Sequence, residues 1–262
     1  MSFIGKRRND SPLDSSFVRA TTDFHSHVLP LIDDGSGSVE ESLEMLSVSY
    51  EAGIKRIVAT PHFYARYQNP ERFFEKRAES AALLTQAISE GRDRGEKYPE
   101  LLLGAEVAYF DGISRCEDIK RFCVEGTQIV LIEMPFQRWN DKIIDEMHEI
   151  KSGLDMIPVV AHVDRYYKFQ SSKMIDKLLN DEILVQANAD GFINRRLQKR
   201  VLNLLDADGI DFLGSDCHNM TLRKPNLDRA SEIICSKGRE VSLEKINEFC
   251  DYVFSGGEAQ SE

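Results

Sequence analysis

Seven short, almost wholly apolar runs recur along the chain, and each is followed by a stretch whose apolar residues fall at helical spacing. The first ends on Asp23-Phe24-His25-Ser26-His27. The others are Arg56–Thr60, Leu101–Glu106, Ile129–Glu133, Ile157–His162, Ile183–Asn188 and Ile210–Gly214. Strands without polar alternation are buried on both faces, the condition of a parallel sheet covered by helices. The helices carry their own marks. Ser38 and Glu41 form a capping box ahead of a stripe of Val39, Leu43, Leu46 and Tyr50, which Gly53 stops. After Asn69-Pro70 a long helix sets Phe74, Ala78, Ala81, Leu84 and Ile88 on one side. A short helical stretch spans Ile113 to Phe122. Further helices are marked by Ile143, Ile144, Met147 and Ile150, by Ile175, Leu178 and Leu179, and by Leu197, Val201 and Leu204. Two more lie near Leu227–Cys235 and Leu243–Val253.

A closed barrel and an open doubly wound sheet share this alternation, and the polar residues choose between them. His25 and His27, His62, Glu106, Glu133, His162, Asn188, and Asp216 with His218 all stand at C-terminal strand ends. In a barrel those ends converge on one mouth, where barrel enzymes keep their chemistry. In an open sheet, residues from all seven strands could not meet. The expected fold is a seven-stranded, distorted TIM-like (β/α)7 barrel. Residues 1–18 read as an N-terminal arm, 19–255 as the domain, and 256–262 as a polar tail.

A chain of 262 residues, 42% hydrophobic, suits one such domain. Its net charge of -11 argues against a non-specific nucleic-acid binder. Five cysteines, an odd number without CxxC spacing, read as reduced thiols and point to the cytoplasm. No signal peptide is expected, and no run reaches the ~18 apolar residues of a membrane span.

Alternate side chains of a strand share a face, so His25 and His27 point the same way, with Asp23 behind them. Two such imidazoles can grip one divalent ion, and the pattern returns as Asp216 and His218 after the last apolar run. Nitrogen and oxygen ligands without cysteine suit zinc, manganese or iron and lean away from a structural zinc. Five of the six histidines occupy strand ends; His148, on an expected helix, is the exception. Arg165 and Arg223 follow His162 and His218 closely, and their planar forks suit phosphate.

The motifs DFHSHVLPLIDDG (23–35), ATPH (59–62), GAE (104–106), IEMP (132–135), AHVDRY (161–166) and GSDCHN (214–219) together resemble the PHP (polymerase and histidinol phosphatase) superfamily. Within it, the chain is most similar to the bacterial protein-tyrosine phosphatases of capsule and exopolysaccharide systems. The resemblance implies a trinuclear metal centre, manganese by preference. Glu106 would bridge two ions, one also held by His25, His27 and Asp216, the other by Glu133 and His162. Asp34, His62 and His218 would hold the third. It implies in-line attack on phosphotyrosine by metal-activated water, with Arg165 and Arg223 on the phosphate and His62 or His218 at hand for proton transfer. The implied partner is an autophosphorylating bacterial tyrosine kinase that controls polysaccharide export; a homo-oligomer is left open. Phe63, Val163 and Asp164 depart from the motifs, and the arm before Asp23 is longer than in many relatives.

Three other readings compete. Cys217 and Arg223 satisfy the C-x5-R spacing of cysteine-dependent phosphatases, but no glycine lies between them, and Cys217 should face away from Asp216 and His218. The same fold could serve histidinol phosphate or another small phosphomonoester. A metal-stabilised interaction domain without catalysis is the third.

Overall fold

The structure, a computed structural model, describes residues 17–180 and 183–256. Nearly all of the expected arm and tail lies outside the described residues. The strands are β1 Thr22–Ser26, β2 Arg56–Ala59, β3 His62–Phe63, β4 Glu100–Leu103, β5 Glu106–Ala108, β6 Ile129–Glu133, β7 Ile157–Val160, β8 Leu184–Asn188 and β9 Phe212–Gly214. All their pairings are parallel. One sheet runs β1-β2-β4 and the other β3-β5-β6-β7-β8-β9. The two ends meet at a seam. Ser26 bridges Cys217, the Asp216 amide donates to the His25 carbonyl at 2.7 Å, and the His27 amide donates to the Cys217 carbonyl at 2.9 Å. Below the seam Phe24 stacks on Phe212 at 3.9 Å between centroids. The result is a distorted TIM-like barrel with seven strand positions.

Two of those positions are broken, which the apolar runs do not reveal. The expected strand Arg56–Thr60 stops at Ala59 and resumes as β3, because Pro61 has no amide hydrogen for the ladder. The expected strand Leu101–Glu106 divides into β4 and β5 at Gly104. A Cβ on Gly104 would lie 3.3 Å from Val58 Cγ1 and 3.2 Å from Val124 Cγ2, so a side chain there has little room. Hydrogen bonds from the Gly104 amide to Ala59 and from the Glu106 amide to Pro61 keep the halves in line. The kinks carry β3 and β5 over to the larger sheet, where His62 stands beside Glu106 in register.

Helices α1 Val39–Glu51, α2 Pro70–Asp93, α3 Asp141–Leu154, α4 Ser172–Asn180, α6 Gln198–Asp206, α7 Leu227–Ser236 and α8 Glu240–Phe254 fall where the apolar spacing predicts them; a short α5, Ala189–Ile193, was not expected. Two buried faces differ in phase from the expectation. On α1 the buried residues are Ser42, Met45, Leu46 and Ser49, while Tyr50 is exposed. The serines can be buried because Ser42 Oγ donates to Ser36 Oγ and Ser49 Oγ to the Met45 carbonyl. On α2 Phe73 replaces Phe74 in the core and Ala78 is exposed. Phe74 lies instead under the Arg121 guanidinium, 4.1 Å from its ring centre. Ser38 does cap α1 through the Glu41 amide. The Glu41 carboxylate reaches the Gly37 and Met220 amides, tying the helix to the last loop of the mouth.

Candidate metal centre

The first strand delivers His25 and His27 to one face, and each ring is then fixed by a bond from its Nδ1. His25 Nδ1 donates to Gln186 Oε1 at 3.2 Å, and His27 Nδ1 to Asp33 Oδ2 at 2.7 Å. His218 Nδ1 donates to the Asp216 carbonyl at 3.0 Å. In the neutral imidazole, with the proton on Nδ1, each Nε2 presents a lone pair to the interior. His25 Nε2 and His27 Nε2 face one another at 3.2 Å. Two ligand atoms about 2.1 Å from a shared ion at a tetrahedral angle stand about 3.4 Å apart. The pair has the spacing of co-ligands.

Glu106 sits at the hub, 1% exposed. Its Oε2 lies 3.2 Å from His25 Nε2, 3.4 Å from His27 Nε2 and 2.9 Å from His62 Nδ1, and its Oε1 accepts from His162 Nε2 at 2.7 Å. Asp216 Oδ1 stands 3.6 and 3.5 Å from the same two Nε2 atoms, and Glu133 is 3.4 Å from His162. Asp34, far more exposed, reaches His62 and His218 at 3.4 and 3.5 Å. Three groups able to hold an ion emerge among the described residues: His25, His27 and Asp216; His62, Glu106 and Glu133; and His27, Asp34, His62 and His218. These groups hold eight of the nine expected ligands, and the ninth, His162, touches Glu106 at 2.7 Å and Glu133 at 3.4 Å. The grouping differs from the expected sets: His62 takes the place of His162 beside Glu106 and Glu133, Glu106 is not grouped with His25, His27 and Asp216, and His27 also reaches the third set.

Whether cations fit is read from buried atoms that lack a hydrogen bond. Glu106 Oε2, His62 Nδ1 and His218 Nε2 are buried and make no hydrogen bond of sound geometry; Asp216 Oδ1 makes none either, though the Arg223 guanidinium stands 2.6 Å from it. Such orphans are costly unless something charged satisfies them. The field agrees. Burial works against a charged His27, yet Asp33 and Glu106 overrule it and lift its pKa to about 10; His162 is lifted to about 9 by Glu106 and Glu133 against the same penalty. His218, buried and facing His27 and Arg223, is pushed down to about 4. Burial opposes the Glu106 and Asp216 anions too, but the His25 charge, aided at Asp216 by Arg165, holds both well below the ordinary carboxylate range. A cavity that draws protons this strongly onto imidazole draws divalent cations as well. His162 and Asp216 also hold left-handed backbone, φ 33 and 52, which costs roughly 1–3 kcal/mol for a residue with a side chain.

Both expected phosphate binders reach the mouth. Arg165 and Arg223 clasp Asp216 from two sides, Arg223 Nη2 at 2.6 Å from Oδ1 and Arg165 on Oδ2, and each side chain is about one-third exposed. The C-x5-R reading does not survive. Cys217 is fully buried in the seam, and burial together with Asp23 pushes its thiol far above its ordinary pKa.

Two supporting residues, Asp33 and Gln186, were not singled out from the sequence. Asp33 anchors His27 and also accepts the His62 and Gly35 amides. Gln186 accepts from His25 and from the His162 amide and donates to Asn188, whose Nδ2 donates to Asp216. Gln186 was legible as the one polar residue inside its apolar strand, at the parity of Asn188. The departures from the family motifs lie behind the mouth. Phe63 packs on Phe73 and Phe122, Val163 is buried, and Asp164 accepts the Asn188 amide.

Comparison with known proteins bears on this cluster. Tyrosine-protein phosphatase CpsB of Streptococcus agalactiae serotype III (strain NEM316) is 27% identical over 241 residues, covering 86% of this chain and 93% of that protein. CpsB of Streptococcus pneumoniae is 28% identical over 228 residues, covering 82% and 90%. A solved structure reported with YwqE from Bacillus subtilis and CpsB from Streptococcus pneumoniae, unique metal-dependent tyrosine phosphatases, has a TM-score of 0.78 at 22% identity. It covers 92% of this chain and 97% of its own, and at that identity it speaks for the fold. Residues 21–249 match the family model for capsular polysaccharide synthesis, CpsB/CapC, and the chain therefore belongs to the CpsB/CapC family.

Proposed function

We propose that this chain is a metal-dependent phosphatase that hydrolyses phosphotyrosine on proteins. The observation that carries the reading is the imidazole array. His25, His27 and His218 are each tied through Nδ1 and turn Nε2 inward, around a buried Glu106 and beside two partly exposed arginines. The relatives named CpsB support phosphotyrosine as the substrate. His25, His27, Glu106 and Asp216 are assigned to one ion, Glu106, Glu133 and His162 to a second, and Asp34, His62 and His218 to a third. Manganese is the favoured metal, with zinc or iron as the alternatives. Bound divalent ions would lower the pKa of water and polarise phosphoryl oxygens. Arg165 and Arg223 receive the phosphate through their forks and hold it in line. His62 and His218, which face the exposed Asp34, are assigned to move a proton between water and the leaving oxygen when they are not holding the third ion.

The protein substrate is assigned as an autophosphorylating bacterial tyrosine kinase of polysaccharide export, with the reaction in the cytoplasm. Among the described residues no helix is long and apolar enough to cross a membrane. Elemental analysis of the purified protein, with phosphate release from phosphotyrosine peptides and from histidinol phosphate with and without chelator, tests the assignment. Stoichiometric metal and chelator-sensitive release favouring the peptides is expected. Metal-free protein that still releases phosphate overturns it, and a preference for histidinol phosphate moves the substrate.

A further inference from the structure

Beside the metal cluster, the loops after β6 and β7 enclose a cavity of about 440 Å3 lined by Arg138, Trp139, Lys168, Phe169 and Gln170. One ring links its wall to the mouth. Phe136, three residues after Glu133, lies over the His162 ring with centroids 5.8 Å apart and planes 15° apart, and reaches Phe169 at 6.0 Å. Gln170 is pinned from both sides: the Trp139 amide donates to its Oε1 at 3.2 Å, and its Nε2 donates to the Gln137 carbonyl at 2.6 Å. Trp139 Nε1 donates to the Pro135 carbonyl at 2.9 Å, which fixes the wall.

Two cations line this cavity. Arg138 and Lys168, both exposed and both on the cavity, form no ion pair with any described residue. Two uncompensated cations over an aromatic wall make a receptor for an anion. The cavity adjoins the Glu133 and His162 side of the mouth, and an extended peptide advances ~3.3 Å per residue, so a side chain a few positions from the scissile tyrosine comes within its reach.

The geometry points to this cavity as a subsite for a second anionic side chain of the substrate, carboxylate or phosphate, close in sequence to the phosphotyrosine. The inference rests on the phosphotyrosine reading above and adds the substrate's charge pattern to it.

The test compares kcat/KM on three phosphotyrosine peptides differing only in their flanks: neutral, glutamate-bearing, and bearing a second phosphotyrosine. Each is assayed with the metal-loaded wild-type chain and with an Arg138→Ala/Lys168→Ala double variant. Two exposed charge pairs support a preference of about tenfold for an anionic flank, expressed in KM and shrinking as salt is raised. The double variant should bring the ratio near one. The larger gain identifies the anion: glutamate for a carboxylate site, the second phosphotyrosine for a phosphate site. Equal kcat/KM on all three peptides, or a preference that the double variant keeps, overturns the subsite and leaves the phosphotyrosine reading intact. No release from any peptide, while p-nitrophenyl phosphate is still cleaved, sinks both.

Discussion

Asp33 holds the imidazole array without belonging to it, and Asp33→Asn separates support from ligation. The carboxylate is 7% exposed. Its Oδ2 accepts His27 Nδ1 at 2.7 Å and the His62 amide at 3.0 Å, and its Oδ1 accepts the Gly35 amide at 2.9 Å. Asparagine keeps the shape but offers one acceptor and one NH2 group. With its oxygen toward His27, its NH2 meets the Gly35 N–H, donor against donor. With its oxygen toward Gly35, its NH2 faces His27 Nδ1, which must then shed its proton onto Nε2, the nitrogen aimed at the cluster. Exchanging a charge-assisted bond for a neutral one forfeits about 1–1.5 kcal/mol. Outer partners of this kind are worth 10–100-fold in metal affinity, or about 1.4–2.7 kcal/mol. Metal affinity, measured by competition with a fluorescent chelator, should fall by about that factor. Saturating metal should restore most of kcat, because Asp33 lies behind His27 and is assigned no contact with substrate. Burial would raise the Asp33 carboxyl, but His27 and the two amides overrule it and hold it at about 2. Its support is therefore complete above about pH 4 and is lost only as pH falls through 2. Unchanged affinity, or a kcat deficit that no metal concentration repairs, refutes the reasoning.

Other substitutions probe the site from different sides. A Cβ at residue 214 would stand 2.5 Å from His25 Cβ and 2.6 Å from Gln186 Nε2, so Gly214→Ala should displace His25. Activity should fall at least ~100-fold for a stability loss of about 1–3 kcal/mol; near wild-type turnover in the purified variant contradicts this. Cys217→Ala should retain activity within about twofold, and iodoacetamide should not inhibit the wild type, because the buried thiol is no nucleophile. Asp211 is raised to about 6 by burial, against the pull of the Val185 amide. The folded carboxyl binds its proton more tightly than the unfolded one, so stability falls as pH rises from about 4 to 6. Asp211→Asn should add about 1–3 kcal/mol at pH 7.5 in urea unfolding and nothing at pH 4; a gain that persists at pH 4 points to another cause.

The barrel was legible because buried parallel strands write themselves as apolar runs, and the candidate site because its histidines and acids recur at the ends of those runs. What escaped was decided by contacts distant in sequence. Nothing within Arg56–Thr60 or Leu101–Glu106 announces that each position changes sheets; Pro61 and Gly104 do so only beside Val58 and Val124. The phase of α1 turned on hydroxyl bonds that let Ser42 and Ser49 replace Tyr50 against the barrel. Asp33 stood next to the expected ligand Asp34, and a sequence cannot say which of two adjacent acids faces inward. The buried one became the brace and the exposed one the candidate ligand.

The seam between the first and last strands has a bearing on how such a chain becomes active. Asp23 takes the Ser215 amide and hydroxyl across 192 residues, next to the His25–Asp216 bond. A ribosome releases the two sides of that closure at opposite ends of its passage, and long-range pairing of this kind forms late. A growing chain would carry its N-terminal imidazoles for most of its synthesis with no partner strand to complete them. On the assignment proposed above, an ion shared by His25 and Asp216 would wait for that closure.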